Sequence, residues 1–267
     1  NQGTHTYTYT QPENKLLNMW AVWDTKWYVS IADDGYSEQK YPFDTIDNKG
    51  FLPLYPILLA LFGNLFFFGN FFLTGIVISN FFLVLSLVFL FKLIRTDSTL
   101  SKHIGERKDA FFYILTFPTA YILSAIYPES LFLFLSIAVF YAIHKNKIYT
   151  SLILFGLSCL TKTFGIFLSI PILIHILKNK KDIHVTRLLS YILVGLSIPI
   201  AYCMYMYHIS GDAFAYIHIQ EKFFNHSWGN PITEIFKSAF MGNFSQIWNG
   251  WFSLLALCIL LLARKKI

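Results

Sequence analysis

The sequence predicts an all-α fold, a multi-pass bundle of transmembrane helices, and three observations predict it. Of 267 residues, 55% are hydrophobic and only 13% are charged, about half the ~25% that a soluble domain carries. A soluble chain of this length buries a large core but still needs a polar skin, which this composition does not supply. Apolar runs that span or nearly span a ~30 Å hydrocarbon core fall at about 53–91, 109–143, 148–177, 188–207 and 244–263. Most of the lysines and arginines stand in the short breaks between those runs. Lys92, Arg95, Lys102, Arg107 and Lys108 fill one break, Lys145 and Lys147 the next, and Lys178, Lys180, Lys181 and Arg187 a third. Arg264, Lys265 and Lys266 close the chain. By the positive-inside rule all four places are cytoplasmic. The net charge of +6 is thereby explained by topology, and nucleic acid is not expected as a partner.

Each element follows from that sidedness. Residues 1–52 are polar and aromatic, with four lysines against seven acidic residues, and read as a large outer, aqueous loop. The chain begins at Asn1 rather than Met, so an N-terminal segment, a transmembrane helix, is expected to have preceded it. Two crossings within 53–91 would put the basic stretch 92–108 outside, against the rule. A re-entrant or interfacial helix at about 54–68, bounded by Pro53, Pro56 and Gly69, followed by one crossing at 71–91, avoids that conflict.

Residues 109–143 then cross and return, breaking near Pro128–Glu129, and residues 148–177 do likewise near Thr161–Lys162–Thr163. Arms of about 12–18 residues are short for a full span at ~1.5 Å per residue. The apices are therefore expected to be recessed, and broken backbone at depth is tolerated where it lines a cavity. Residues 188–207 cross outward, 208–243 form an outer loop, and 244–263 return. The predicted division is an outer region at 1–52 and a transmembrane domain at 53–267 that contains the outer loop 208–243.

The chemistry-bearing residues gather on the outer side. Asp24 lies in Trp23-Asp24-Thr25-Lys26-Trp27-Tyr28, whose aromatic faces suit either an interfacial belt or the apolar face of a ligand. Glu129 and Lys162 sit at the two hairpin apices. An ionisable side chain at membrane depth costs at least ~2.5 kcal/mol, so these two are expected to pair with each other or to serve a function. Asp212 and Gln220 stand in the last outer loop, while Asp33 and Asp44 read as solvated surface charges.

His144 and His175 fall near cytoplasmic helix ends and read as interfacial. Cys159, Cys203 and Cys258 are far apart in apolar stretches; they read as small buried hydrophobes, without disulfide or metal spacing. There is no metal-ligand spacing, Gly-rich phosphate loop or nucleophile elbow, so a nucleotide substrate is not expected. Asn225-His226-Ser227 and Asn243-Phe244-Ser245 match the short glycosylation acceptor pattern.

Three segments resemble the PIG-V family, the second mannosyltransferase of GPI-anchor synthesis and its prokaryotic relatives. They are W-D-T-K-W-Y-V-S-I-A-D-D-G-Y with G-F-L-P-L-Y-P, then F-P-T-A-Y-I-L-S-A-I-Y-P-E-S-L-F-L-F-L-S, then S-G-D-A-F-A-Y-I-H-I-Q with Trp228 and Pro231 downstream. They run in order from about residue 18 to 231 and fall on the same predicted side. Where relatives often read T-R, this chain has Thr161-Lys162, which keeps the charge but not the bidentate fork.

The resemblance implies a glycosyltransferase of GT-C type. Such enzymes move a sugar, mannose in this family, from a polyprenyl- or dolichyl-phosphate carrier to a lipid-linked or extracytoplasmic acceptor. The membrane would be the plasma membrane in a bacterium, or the endoplasmic reticulum in a eukaryote. Asp24 matches the catalytic acidic residue and would act as base toward the acceptor hydroxyl. Lys162 and Lys26 would offset the leaving phosphate's charge, a role open also to a divalent cation, the one cofactor the resemblance leaves in view. Glu129 would orient Lys162 or bind sugar hydroxyls, Asp212 and Gln220 would shape the acceptor side, and Trp23, Trp27 and Tyr28 would form an apolar wall. A secondary transporter of a small polar solute is the rival reading; it predicts an internal repeat and access from both faces, and the sequence offers neither. An inert scaffold leaves Glu129 and Lys162 without a reason.

Overall fold

A computed structural model describes residues 17–21, 23–96, 107–117, 119–178, 184–224, 229–241, 247–248, 250–255 and 258. Among these residues every regular element is helical and no strand occurs. The α-helices are α1 Thr25–Asp34, α2 Leu54–Phe66, α3 Phe71–Thr96, α4 Arg107–Thr116, α5 Glu129–His144, α6 Ile148–Cys159, α7 Ser169–Lys178, α8 Val185–Ser210, α9 Ala215–Phe224 and α10 Pro231–Met241. Short 3₁₀ turns lie at Leu17–Trp20, Asn48–Gly50, Ala120–Leu123 and Thr163–Leu168. The chain forms two compact units, residues 1–219 and 220–267.

The predicted punctuation reappears. Pro53 opens α2, and the helix ends where Phe68 and Gly69 turn left-handed (φ 50° and 80°) and the Gly69 N–H reaches back to the Gly63 carbonyl. Glycine takes that conformation without a Cβ clash. Pro128 opens α5 at the first hairpin apex, and residues 160–162 separate α6 from the 3₁₀ turn at the second. The long helices α3 and α8 have 26 residues each, about 39 Å at 1.5 Å per residue, and both are long and apolar enough to cross a membrane. Only 28% and 11% of their most apolar stretches are buried. A core helix of a soluble protein would hide most of that surface, whereas α8 exposes Leu189, Leu193, Ile200 and Met204. The helices α2, α5 and α6 and the stretch Thr163–Lys178 are apolar but shorter.

Packing runs in a chain through the first unit: α3 lies along α5, α5 along α6, and α6 along α8, while α1 sits on α2. Val139, Leu152, Phe155, Leu168, Ile172, Ile176 and Tyr191 form one buried cluster between α5 and α8. Small residues set the closest approaches, as is usual where helices meet in lipid. Ile198 of α8 stands about where a Gly156 Cβ would make contact at 3.0 Å. Gly165 is tighter still. A Cβ there would lie 2.5 Å from the Ser158 carbonyl carbon and 2.6 Å from the Cys159 nitrogen, and backbone does not yield cheaply. Gly165→Ala is expected to destabilise the fold by about 1–3 kcal/mol, read as a lower melting temperature in detergent.

Two expectations need amending. Residues 25–34, read as part of an aqueous loop, form helix α1, because Tyr28, Val29, Ile31 and Ala32 bury on one side of it. Residues 208–243, read as an outer loop, hold the helices α9 and α10. In the second unit, α10 stacks Phe236 on Phe240 (ring centroids 6.2 Å) and sets Phe240 edge-on to Trp251 (5.4 Å). Residues 1–16, the basic residues Lys102, Lys180, Lys181 and Arg264 to Lys266, Trp228 and both glycosylation patterns lie outside the described residues.

Candidate active site

Asp24 stands at the N-cap of α1, yet its side chain makes no capping hydrogen bond. The residue before it, Trp23, is left-handed (φ 42°), a conformation uncommon for a bulky aromatic. The hairpin apex ahead of α5 holds this turn. The Asp24 N–H donates to the Tyr127 hydroxyl at 2.8 Å, Thr25 Oγ1 donates to the Ile126 carbonyl at 3.2 Å, and the Ile126 N–H donates to the Trp20 carbonyl at 3.0 Å. The Trp23 ring leans on Tyr121 and Tyr127, with centroids 6.1 and 6.2 Å away. Ile126 is itself seated against Gly75 of α3, where a Cβ would meet its side chain at 2.4 Å.

Two residues beyond Tyr127, Glu129 opens α5, and its Oε1 lies 2.7 Å from Lys162 Nζ; the side chains are 17% and 31% exposed. Lys162 is held in extended backbone (φ −149°, ψ 147°) between α6 and the 3₁₀ turn. Its N–H donates to the Ser158 carbonyl, and its own carbonyl accepts from the Gly165 N–H. The Leu54 N–H, at the start of α2, donates to Leu160 O at 3.0 Å, so this apex is tied to the G-F-L-P-L-Y-P segment. The second carboxylate oxygen of Glu129, Oε2, is buried without a hydrogen-bond partner, as is Ser130 Oγ beside it.

Tyr28 links the two halves. It is buried in α1, edge-on to Phe51, Tyr55 and Tyr127 at 5.5–5.7 Å. Burial pushes its hydroxyl pKa well up, with the charges of Glu129 and Asp24 and the neighbouring Tyr127 and Tyr216 adding to the rise. Tyr127 feels both carboxylates as well. The apex ahead of α5 thus brings Asp24 and the Glu129–Lys162 pair to one segment, with the Tyr28 and Tyr127 rings packed beside it.

The other expected residues are placed as follows. Lys26 Nζ lies 4.3 Å over the Trp27 ring, and Trp27 stacks on Phe51 at 5.5 Å. Burial lowers the Lys26 pKa, and the charge of Asp24 opposes that shift. Trp23 is 65% exposed, in contrast to Tyr28. Asp212 is already engaged: Oδ1 accepts the Phe214 N–H at 2.9 Å, and Oδ2 lies 2.6 Å from His218 Nδ1. Gln220 opens the second unit. Tyr127 and Tyr216 carried no signal in the sequence beyond the motifs around them.

The loop after α1 is pinned from within. Lys49 is fully buried and donates to Ser37 Oγ at 2.7 Å and to the Asp47 carboxylate at 3.2 Å. Burial lowers its pKa, and Asp47 counters that shift. The same loop reaches the end of α8, where the Tyr41 N–H donates to Ser210 O at 2.9 Å and Lys40 Nζ to Ile209 O at 2.6 Å. Among the described residues no three His, Cys, Asp or Glu side chains converge as a metal cage. The three cysteines are free.

A family model described as mannosyltransferase (PIG-V) matches residues 5–219, ending where the first compact unit ends and one residue short of Gln220. No curated protein and no solved structure shows a significant match.

Proposed function

Because the chain belongs to the mannosyltransferase (PIG-V) family, we propose that it is a multi-pass membrane glycosyltransferase working on the extracytoplasmic or lumenal face. It moves mannose from a polyprenyl- or dolichyl-phosphate carrier to a hydroxyl of a lipid-linked or extracytoplasmic acceptor. The observation that carries this reading is the Glu129–Lys162 pair at 2.7 Å, set beside the turn that bears Asp24.

In the reaction an acceptor hydroxyl attacks the anomeric carbon. The new C–O bond forms as the bond to the carrier phosphate breaks, and the phosphate leaves with that electron pair. Asp24 takes the hydroxyl proton. Lys162 faces the charge that grows on the departing phosphate, and a fixed cation in a water-poor site stabilises that charge far better than one in bulk water. Glu129 Oε1 holds Lys162, while the unpartnered Oε2 is the acceptor left for a sugar hydroxyl. A protonless oxygen buried without a donor is costly, and a bound sugar relieves that cost. Trp23, Trp27 and Tyr28 present aromatic faces, Lys26 adds a second positive charge near Asp24, and Asp212 belongs to the acceptor side.

The test is a vesicle assay of the full-length protein with radiolabelled polyprenyl-phosphate mannose. Label is expected to pass into an acceptor fraction without uptake of free solute. Solute uptake with no transfer would replace this reading with the transporter.

A further inference from the structure

The bond between residue 24 and residue 127 joins segments 103 residues apart, and it falls on the one backbone N–H that decides where the Asp24 side chain starts. The first N–H groups of a helix have no partner within it. Here a tyrosine hydroxyl takes up the N-cap N–H. Trp23 is held left-handed immediately before it, and residues in sparsely populated backbone regions persist only where their surroundings over-determine them. The surroundings of Trp23 do this: Trp20 and Thr25 are hydrogen-bonded to Ile126 on either side of the strained residue. The Trp23 ring is wedged on Tyr121 and Tyr127. Tyr127 is fixed in turn by Tyr28 at 5.7 Å and by its own carbonyl, which accepts from Ser79 Oγ at 3.3 Å.

We propose that Tyr127 is the positioning residue for Asp24: its hydroxyl, by accepting the Asp24 N–H, locks the Trp23–Asp24 turn and fixes the carboxylate relative to the Glu129–Lys162 pair. The catalytic consequence rests on the function proposed above; the locking itself does not. Glu129 follows Tyr127 by two residues, so one short segment carries both the lock for the base and the carboxylate that holds the cation. Their spacing is therefore set by residues 127–129 and not by the intervening chain, which runs through α2, α3 and α4. Phenylalanine at 127 keeps the ring contacts with Trp23 and Tyr28 and removes only the hydroxyl.

The experiment uses the full-length protein in nanodiscs, parent and Tyr127→Phe, with amide exchange by mass spectrometry beside steady-state transfer from polyprenyl-phosphate mannose. Exchange in a peptide covering residues 20–25 is expected to quicken about tenfold, the worth of one hydrogen bond, with peptides from α5 and α6 unchanged. Transfer is expected to lose roughly 10–100-fold in kcat, the scale of a misplaced catalytic group, with the donor KM held within about twofold. Parent-like exchange overturns the proposal whatever the kinetics do. Quickened exchange with parental kcat overturns it too, leaving a bond without a positioning role. If the parent itself transfers no mannose, the function reading has failed, and exchange alone decides the locking.

Discussion

Asp24→Asn is expected to lower mannose transfer by about 10²–10⁴-fold, the usual worth of a general base, while the protein stays folded and inserted. Asparagine matches aspartate in shape but cannot accept the proton. The structure explains why the fold should survive. The Asp24 side chain makes no capping bond with α1, and the contacts that seat this turn come from the Asp24 N–H and from Trp20, Trp23 and Thr25. The amide can still share the turn with the Tyr127 hydroxyl. The measurement is initial transfer rate at matched expression, with melting temperature alongside. Retained turnover would remove Asp24 from the role of base. Lost turnover with a lowered melting temperature would assign it a structural part instead.

Lys162→Met is the second large effect, an expected loss of roughly 10²–10³-fold in kcat if the lysine faces the leaving phosphate. The same change also strands the Glu129 carboxylate, whose Oε2 already lacks a partner. A fully buried pair broken on one side costs ~3–5 kcal/mol. Here Lys162 is 31% exposed, so the pair is only partly buried and the cost falls below that range. Two companions separate the effects. Lys162→Arg keeps the charge and is expected to retain most transfer. The double variant Glu129→Gln with Lys162→Met removes the stranded charge and is expected to regain stability without regaining transfer. Equal recovery of both would make the pair purely structural.

The element boundaries were largely legible because proline and glycine act locally. Pro53, Gly69 and Pro128 end or begin helices through their own backbone geometry, whatever lies around them, and α2, α3 and α5 start or stop at them. The break at 161–163 was readable for an energetic reason, since a lysine deep in an apolar run demands a partner. Helix α1 was not readable. Thr25, Trp27, Tyr28, Val29, Ser30 and Ile31 are middling helix formers, and ten such residues do not hold a helix alone. Only burial of Tyr28, Val29, Ile31 and Ala32, with α1 seated on α2, makes this stretch helical. Lys49 was equally opaque. It reads as a surface charge in a polar loop, and its complete burial with Asp47 and Ser37 depends on how the loop closes on itself.

By itself, then, the sequence determined the helical class, the apolar segments and their breaks, and which residues carry unusual charge. Those are properties of composition and local spacing, which every part of the chain reports independently. The tertiary structure decided which of the charges meet. Glu129 finds Lys162 across 33 residues, and Asp24 finds Tyr127 across 103. It also decided that Asp212 is already bonded to His218 and Phe214 and that Tyr28 packs against Tyr127. The physical reason is that a hydrogen bond between distant segments has no local signature. Its partners are chosen by how helices pack, and that choice belongs to the whole fold.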